Sequence, residues 1–184
     1  MYLSAKPVIA PTLRRRTAPV PSEVRKFAEM IEENEMVLDL GAGTGHKTVF
    51  LCTATKGDVY ACDICEEFVE ELRKLIGFKA FKCDVRDLGD VPDNYFDKVL
   101  CWHVLMFIPK EDLDRAIEEI KRITKDGGVV LYGFYRVKSA LNPDFTNPET
   151  FREASRYVCE KTGDVLEFRC KGRDMCYCFV KVRK

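Results

Sequence analysis

Val37-Leu38-Asp39-Leu40-Gly41-Ala42-Gly43-Thr44-Gly45 runs from an apolar stretch straight into three alternating glycines. Met36 to Leu40 is broken only by Asp39, the pattern of a strand covered on both faces of a parallel sheet. The glycines that follow allow a sharp turn and a close approach of backbone to a ligand. Thr44 is expected to cap a helix running to about Thr53, whose first amides favour a negative group. A dinucleotide fingerprint needs a glycine at the sixth position from Gly41, and His46 stands there; its side chain blocks the close helix–strand packing that glycine permits. A phosphate loop needs Gly-Lys-Ser/Thr after four residues, and none follows.

Outward from this turn, strands and helices alternate. Ser22 is expected to cap a helix with Val24, Phe27, Ala28 and Ile31 on one face. Strands are expected at Asp58 to Cys62, Phe78 to Cys83, Phe96 to Trp102 and Val129 to Tyr135. Helices are expected from Glu66 to Leu75, after Pro109, and from about Pro148 to Lys161; Gly127-Gly128 should stop the second of these. Such alternation makes a parallel sheet covered on both faces. Val165 to Cys170 and Met175 to Val182 read as two more strands. The link between them is too short for a parallel crossover, so that pair must be antiparallel. Pro7, Pro11, Pro19 and Pro21 break up residues 1–21, which read as an arm before a folded region over 22–184.

Two carboxylates fall at strand ends on the same sheet edge. Asp63 closes the second strand, 22 residues after Gly41, where a carboxylate can accept both hydroxyls of a ribose. Asp84 follows the third strand in Lys82-Cys83-Asp84-Val85 and can accept from an exocyclic adenine amine. Singly, Gly43 or Asp84 would be ordinary turn residues; together they point to a nucleoside ligand.

At this point the chain resembles the class I S-adenosylmethionine-dependent methyltransferases. The likeness rests on Asp39 to Gly45, Asp63, Asp84-Val85, Phe96 to Leu100 and Gly127-Gly128, and covers about residues 22–182. It implies an α/β, doubly wound, Rossmann-like fold. The implied sheet has seven strands and is mostly parallel, with the last strand inserted antiparallel and helices on both faces. It further implies S-adenosylmethionine as cofactor, with Asp39, Gly41, Ala42, Gly43 and Gly45 at its methionine portion and Asp63 on the ribose. Ile64 would pack on the adenine, while Asp84 and Val85 hold its edge. Cys101, on the fourth strand, is grouped with the cofactor residues, although by itself it reads as a small core side chain.

An activated methyl group needs an acceptor held in line and, where required, a base. Cys101-Trp102-His103-Val104-Leu105-Met106-Phe107 lacks the Asn/Asp-Pro-Pro-aromatic pattern of adenine-amine methylation, and the Pro-Cys nucleophile of cytosine-carbon methylation is missing. His103 is the candidate general base, with a loop hydrogen-bonding role as the alternative reading. Tyr135, at the end of the fifth strand, is a candidate substrate contact. Arg14, Arg15 and Arg16 on the arm would meet an anionic group of the substrate.

Among 184 residues, 30 basic and 30 acidic side chains balance to zero. The basic ones gather at residues 1–27 and 169–184, leaving an acidic middle. Basic ends suit an anionic substrate or RNA, or are simply solvated termini. Balanced charge and small size favour a small-molecule acceptor. RNA- or protein-directed transfer and a non-catalytic S-adenosylmethionine-binding scaffold stand as alternatives. The absence of a long apolar run or a secretory signal pattern argues for a cytoplasmic protein and against a membrane. Nine cysteines fall in no repeated zinc spacing, so no metal is expected; Cys62-Asp63-Ile64-Cys65 has no second pair, and Cys176 and Cys178 read as core on one strand face. Glutamine is absent while Lys and Glu abound, a bias of thermophilic proteins, some of which carry intracellular disulfides.

Overall fold

A computed structural model describes residues 19–138 and 140–184. Seven strands form one sheet: β1 (Met36–Leu40), β2 (Asp58–Asp63), β3 (Ala80–Lys82), β4 (Phe96–Trp102), β5 (Thr124–Tyr135), β6 (Gly163–Lys171) and β7 (Met175–Val182). Their order is β3-β2-β1-β4-β5-β7-β6. β1 to β5 are parallel. β7 lies between β5 and β6 and is antiparallel to both. The doubly wound, mostly parallel sheet expected from the sequence is the sheet observed.

The helices are α1 (Ser22–Glu29), α2 (His46–Ala54), α3 (Glu66–Ile76), α4 (Leu113–Ile123) and α5 (Phe151–Thr162). α1 and α2 cover one face, where Val24, Phe27 and Leu51 are buried with Val37, Val59, Leu100 and Phe179. α3 packs there too, Leu72 meeting Ala61 and Ala80. The other face carries α4 and α5, through Ala116, Ile117, Ile120, Val158 and Cys159 against Leu38, Val99 and Val130. Strand order reverses between β1 and β4, and at such a switch the carboxyl ends of the strands leave a crevice for a ligand.

Local details differ from the sequence reading. Ser22 does not cap α1; Pro21 holds that position and no side chain bonds the first amides. Thr44 does not cap α2 either, because Gly45, at φ +81, is the N-cap residue. β3 keeps only three residues: Gly77 to Lys79 coil into a 3-10 turn, and Phe78 is exposed. Ile123, not Gly127, ends α4. The glycines instead shape a bulge, since Phe96 pairs with Thr124 and Lys98 with Val129; Gly127 adopts φ +77 within it. Of the expected arm only residues 19–21 are among those described, so Arg14, Arg15 and Arg16 lie outside them.

Six cysteines form disulfides, Cys62–Cys83, Cys159–Cys178 and Cys170–Cys176. Cys176 and Cys178 are buried on one face as read, but each is oxidised and not a free core thiol. Pairing depends on which strands become neighbours, so spacing alone could not give it. Among the described residues, no three His, Cys, Asp or Glu side chains gather as a metal site. Nor is any helix among them long and apolar enough to cross a membrane.

Cys159–Cys178 joins α5 to β7 across 19 residues. A Cys159→Ala/Cys178→Ala variant should lose about 3 kcal/mol of stability through the freed unfolded chain. Its Tm should fall by about 6–12 °C, measured by scanning calorimetry without reductant. A shift under about 2 °C would show that this bridge carries no stability.

Candidate active site

Three strand ends meet at the crevice. Leu40 ends β1, and the next two amides, of Gly41 and Ala42, donate to the Cys62 carbonyl at the end of β2 (2.9 and 3.0 Å). Gly41 turns at φ +72, and a Cβ there would sit 2.3 Å from Val104 Cγ2 on the segment after β4. A side chain at this position would force the two segments apart. Gly43, at φ +56, has nothing within 4 Å of the same virtual atom. The turn is therefore packed from below at Gly41 and open above at Gly43.

Asp63 is the hub. Its Oδ2 accepts from the Gly43 amide (2.8 Å) and its Oδ1 from the Cys65 amide (3.0 Å). The glycine turn and the start of α3 thus converge on one carboxylate. Ile64, beside it, is 60% exposed, an apolar side chain left uncovered at the rim. The Cys83 amide donates to the Asp63 carbonyl (3.0 Å), which brings Asp84 and buried Val85 alongside. Both Asp84 oxygens accept from Arg86, whose Nη1 also donates to Asp112 (3.0 Å). The Arg86 guanidinium holds the Asp84 carboxyl below its usual range.

Asp39 is fully buried. Thr48, on the first turn of α2, donates its hydroxyl to Asp39 Oδ2 (2.7 Å), while Oδ1 has no partner. Burial raises the Asp39 pKa against the pull of Lys47 and Thr48. A buried carboxylate oxygen without a donor is costly, and a cationic group in the crevice would relieve it. Sequence reasoning overlooked Thr48 and Lys47. The signal for Thr48 was the need of a mid-strand aspartate for a donor on the helix that packs over it.

After β4 the chain turns at His103, which adopts φ +63. Its amide donates to the Gly133 carbonyl (2.8 Å). The imidazole lies 5.9 Å from the Tyr135 ring and 5.2 Å from Trp102, centre to centre. Tyr135 is half-exposed at the end of β5, so the two candidate acceptor residues stand side by side. His103 Nε2 has no partner, and burial, helped by Lys47, lowers the imidazole pKa to about 4. The ring is therefore neutral near pH 7, able to accept a proton from an acceptor but a weaker base than the sequence suggested. Cys101 is buried beneath, in ladder register with Leu40 and Tyr132, with its thiol pKa pushed up by burial. A separate hollow of about 550 Å³ between the starts of α4 and α5, lined by Lys110, Asp114, Asp144 and Tyr157, includes none of these residues.

The His103 shift has a stability consequence. An imidazole that titrates near 4 when folded and near 6.5 when unfolded binds more protons in the unfolded chain between those values. Its contribution is intact above about pH 6.5 and is lost as pH falls toward 4, at up to about 1.4 kcal/mol per pH unit. Denaturant titrations from pH 7.5 to 4.5 should show this slope in the wild type and a flatter one in His103→Asn. Equal slopes would contradict the buried, neutral imidazole.

A family model described as a methyltransferase domain matches residues 37–128, from the start of the glycine turn's strand to the bulge before Val129. The chain belongs to the methyltransferase family. Its fold is that of the class I S-adenosylmethionine-dependent enzymes, whose methyl donor is S-adenosylmethionine. The bovine (Bos taurus) tRNA N(3)-cytidine methyltransferase METTL2 is 32% identical over 114 residues, 54% of this methyltransferase and 30% of the relative. A TehB-like SAM-dependent methyltransferase from Corynebacterium glutamicum superposes with a TM-score of 0.71 at 18% identity, covering 93% of this chain and 92% of that one. The 1,6-didemethyltoxoflavin-N1-methyltransferase of Burkholderia thailandensis, solved with that substrate and S-adenosylhomocysteine, gives 0.66 at 16% identity, with 89% and 79% covered. These structural likenesses are likenesses of fold. The methyltransferase spans less than half the length of the curated relatives it matches first.

Proposed function

We propose that this methyltransferase moves the methyl group of S-adenosylmethionine to a small-molecule acceptor held over the ends of β4 and β5. The observation that carries the cofactor site is Asp63, which ties the Gly43 turn to the start of α3 beside an exposed Ile64 and an open space above Gly43. In this reading Gly41, Ala42, Gly43 and Gly45 shape the cradle, and unpartnered Asp39 Oδ1 receives the ammonium of the methionine end. Asp63 accepts the ribose hydroxyls, Ile64 lies against the adenine, and Asp84 with Val85 meets its edge. Cys101 belongs to the floor under the cradle.

When bound, the donor supplies an already activated sulfonium methyl. The protein's task is alignment and proton handling. Tyr135 and His103 bound the acceptor side: His103, neutral and with Nε2 free of protein partners, accepts a hydrogen bond or proton from the nucleophile, and Tyr135 flanks it.

Two points support a small acceptor. Residues 1–18 hold four of the 30 basic side chains and no acidic one, so residues 19–184 carry a net charge of −4, an unfavourable field for a polyanion. The link between β6 and β7 is only Gly172 to Asp174, too short to build a docking platform. RNA transfer is the second reading, favoured by the bovine tRNA-directed relative and by the basic ends. In either case Arg14, Arg15 and Arg16 on the 1–21 arm would meet the acceptor's anionic group. The glutamine-free, Lys- and Glu-rich composition further suggests a thermophilic setting.

Calorimetry with S-adenosylhomocysteine should give micromolar binding, and no heat with either the donor or this product would remove the cofactor reading. Labelled-methyl transfer on fractionated extract should then mark a small-molecule fraction. Label in RNA would replace the acceptor class. Cofactor binding without transfer to any fraction would leave a non-catalytic scaffold.

A further inference from the structure

The two cysteines that precede the site's two strand-end carboxylates are bonded to each other. Cys62 stands before Asp63 and Cys83 before Asp84, with their Cα atoms 5.7 Å apart. β3 is an edge strand of three ladder pairs, ending at Asp63↔Lys82, so Cys83 lies just past the ladder. Asp63 is fixed independently, by amides on both sides. Asp84 is tied to β2 less directly: its carboxylate partner is Arg86, two residues along the same segment, which Asp112 braces from the α4 side and not from β2. Besides the disulfide, one backbone bond, Cys83 N–H to Asp63 O, ties this segment's start to β2.

We propose that the Cys62–Cys83 disulfide is a positioning clamp that sets Asp84 and Val85 relative to Asp63, and so sets recognition of the adenine edge. This rests on the cofactor reading above. Buried Val85 and Leu88 keep the segment docked when the bond opens; what is lost is register, not the fold. The cofactor site is thereby sensitive to thiols. A dithiol reductant donates two electrons and two protons and closes into its own disulfide, while the sulfur–sulfur bond breaks and Cys62 and Cys83 become thiols. The other two bridges lie at α5, β6 and β7, across the sheet from the site.

The test compares S-adenosylhomocysteine with S-inosylhomocysteine, which carries an oxo group in place of the adenine amine. Calorimetry on the unreduced protein should favour the adenosyl compound by about tenfold, the worth of one charge-assisted hydrogen bond. Cys83→Ser, or wild type treated with dithiothreitol, should bind the adenosyl compound about tenfold more weakly, with the inosyl compound little changed, so that the preference collapses toward one. Cys170→Ser should retain the preference, which separates the clamp from general loss of stability. An unaltered preference in Cys83→Ser overturns the proposal, as does peptide mapping of unreduced protein that finds Cys62 and Cys83 as free thiols. Wild type that binds neither compound overturns the cofactor reading itself, a result distinct from loss of preference alone.

Discussion

Asp63→Ala is expected to weaken S-adenosylhomocysteine binding by about 10²–10³-fold, the larger of the functional effects this fold predicts. Two losses combine. The carboxylate no longer meets the ribose hydroxyls, and each charge-assisted hydrogen bond of that kind is worth about 1.5–3 kcal/mol. The amides of Gly43 and Cys65 also lose their acceptor, so the glycine turn is no longer held against β2. Asp63→Asn keeps one carbonyl acceptor and should recover part of the affinity. Asp84→Ala should cost less, about tenfold, because Arg86 already occupies much of that carboxylate. Calorimetric titration of the three variants ranks them; a dissociation constant for Asp63→Ala within about threefold of wild type would remove Asp63 from the site.

The largest effects on folding are expected where Gly133 and Trp102 meet. A methyl group there would lie 2.3 Å from Cε3 and 2.4 Å from Cδ2 of Trp102. Trp102 is buried at the end of β4, paired in the ladder with Gly133 itself, so neither backbone can retreat. Overpacking of this kind costs about 1–3 kcal/mol, and Gly133→Ala should sit at the upper end, with Tm lowered by about 6–12 °C. The Gly133 carbonyl also accepts from the His103 amide, so methyl transfer should fall together with stability. Trp102→Ala alone should cost about 3–5 kcal/mol through the cavity it leaves. The double variant should be more stable than the sum of the two by about 1–3 kcal/mol, because the ring and the new methyl compete for one space. Strict additivity in denaturant titrations would show that the contact does not set the cost.

The glycine turn, the alternation of elements and the two strand-end acids were readable because each is a local pattern. Met36 to Leu40 is apolar on both faces and must be buried. The three-residue link after Lys171 admits only an antiparallel return. Boundaries were less legible where two local signals competed. Gly127-Gly128 resembled a helix stop, yet the β4–β5 register absorbed those residues as a bulge. Thr44 and Ser22 had capping side chains, but left-handed Gly45 and Pro21 took the N-cap positions.

Residue order by itself determined that this chain makes a parallel, two-faced sheet with a glycine turn at its first strand, because periodicity and turn chemistry act over a few residues. Partners distant along the chain were decided only by the tertiary structure. They include the Thr48 donor on Asp39, the Gly43 amide on Asp63, the Arg86–Asp112 brace behind Asp84 and the Cys62–Cys83 and Cys159–Cys178 disulfides. The low pKa of His103 belongs with them, since it comes from burial beside Trp102 of β4 and Tyr135 of β5, with the Lys47 charge on α2 adding to it. Desolvation and covalent pairing depend on which segments become neighbours, and that follows only once the whole sheet has been assembled.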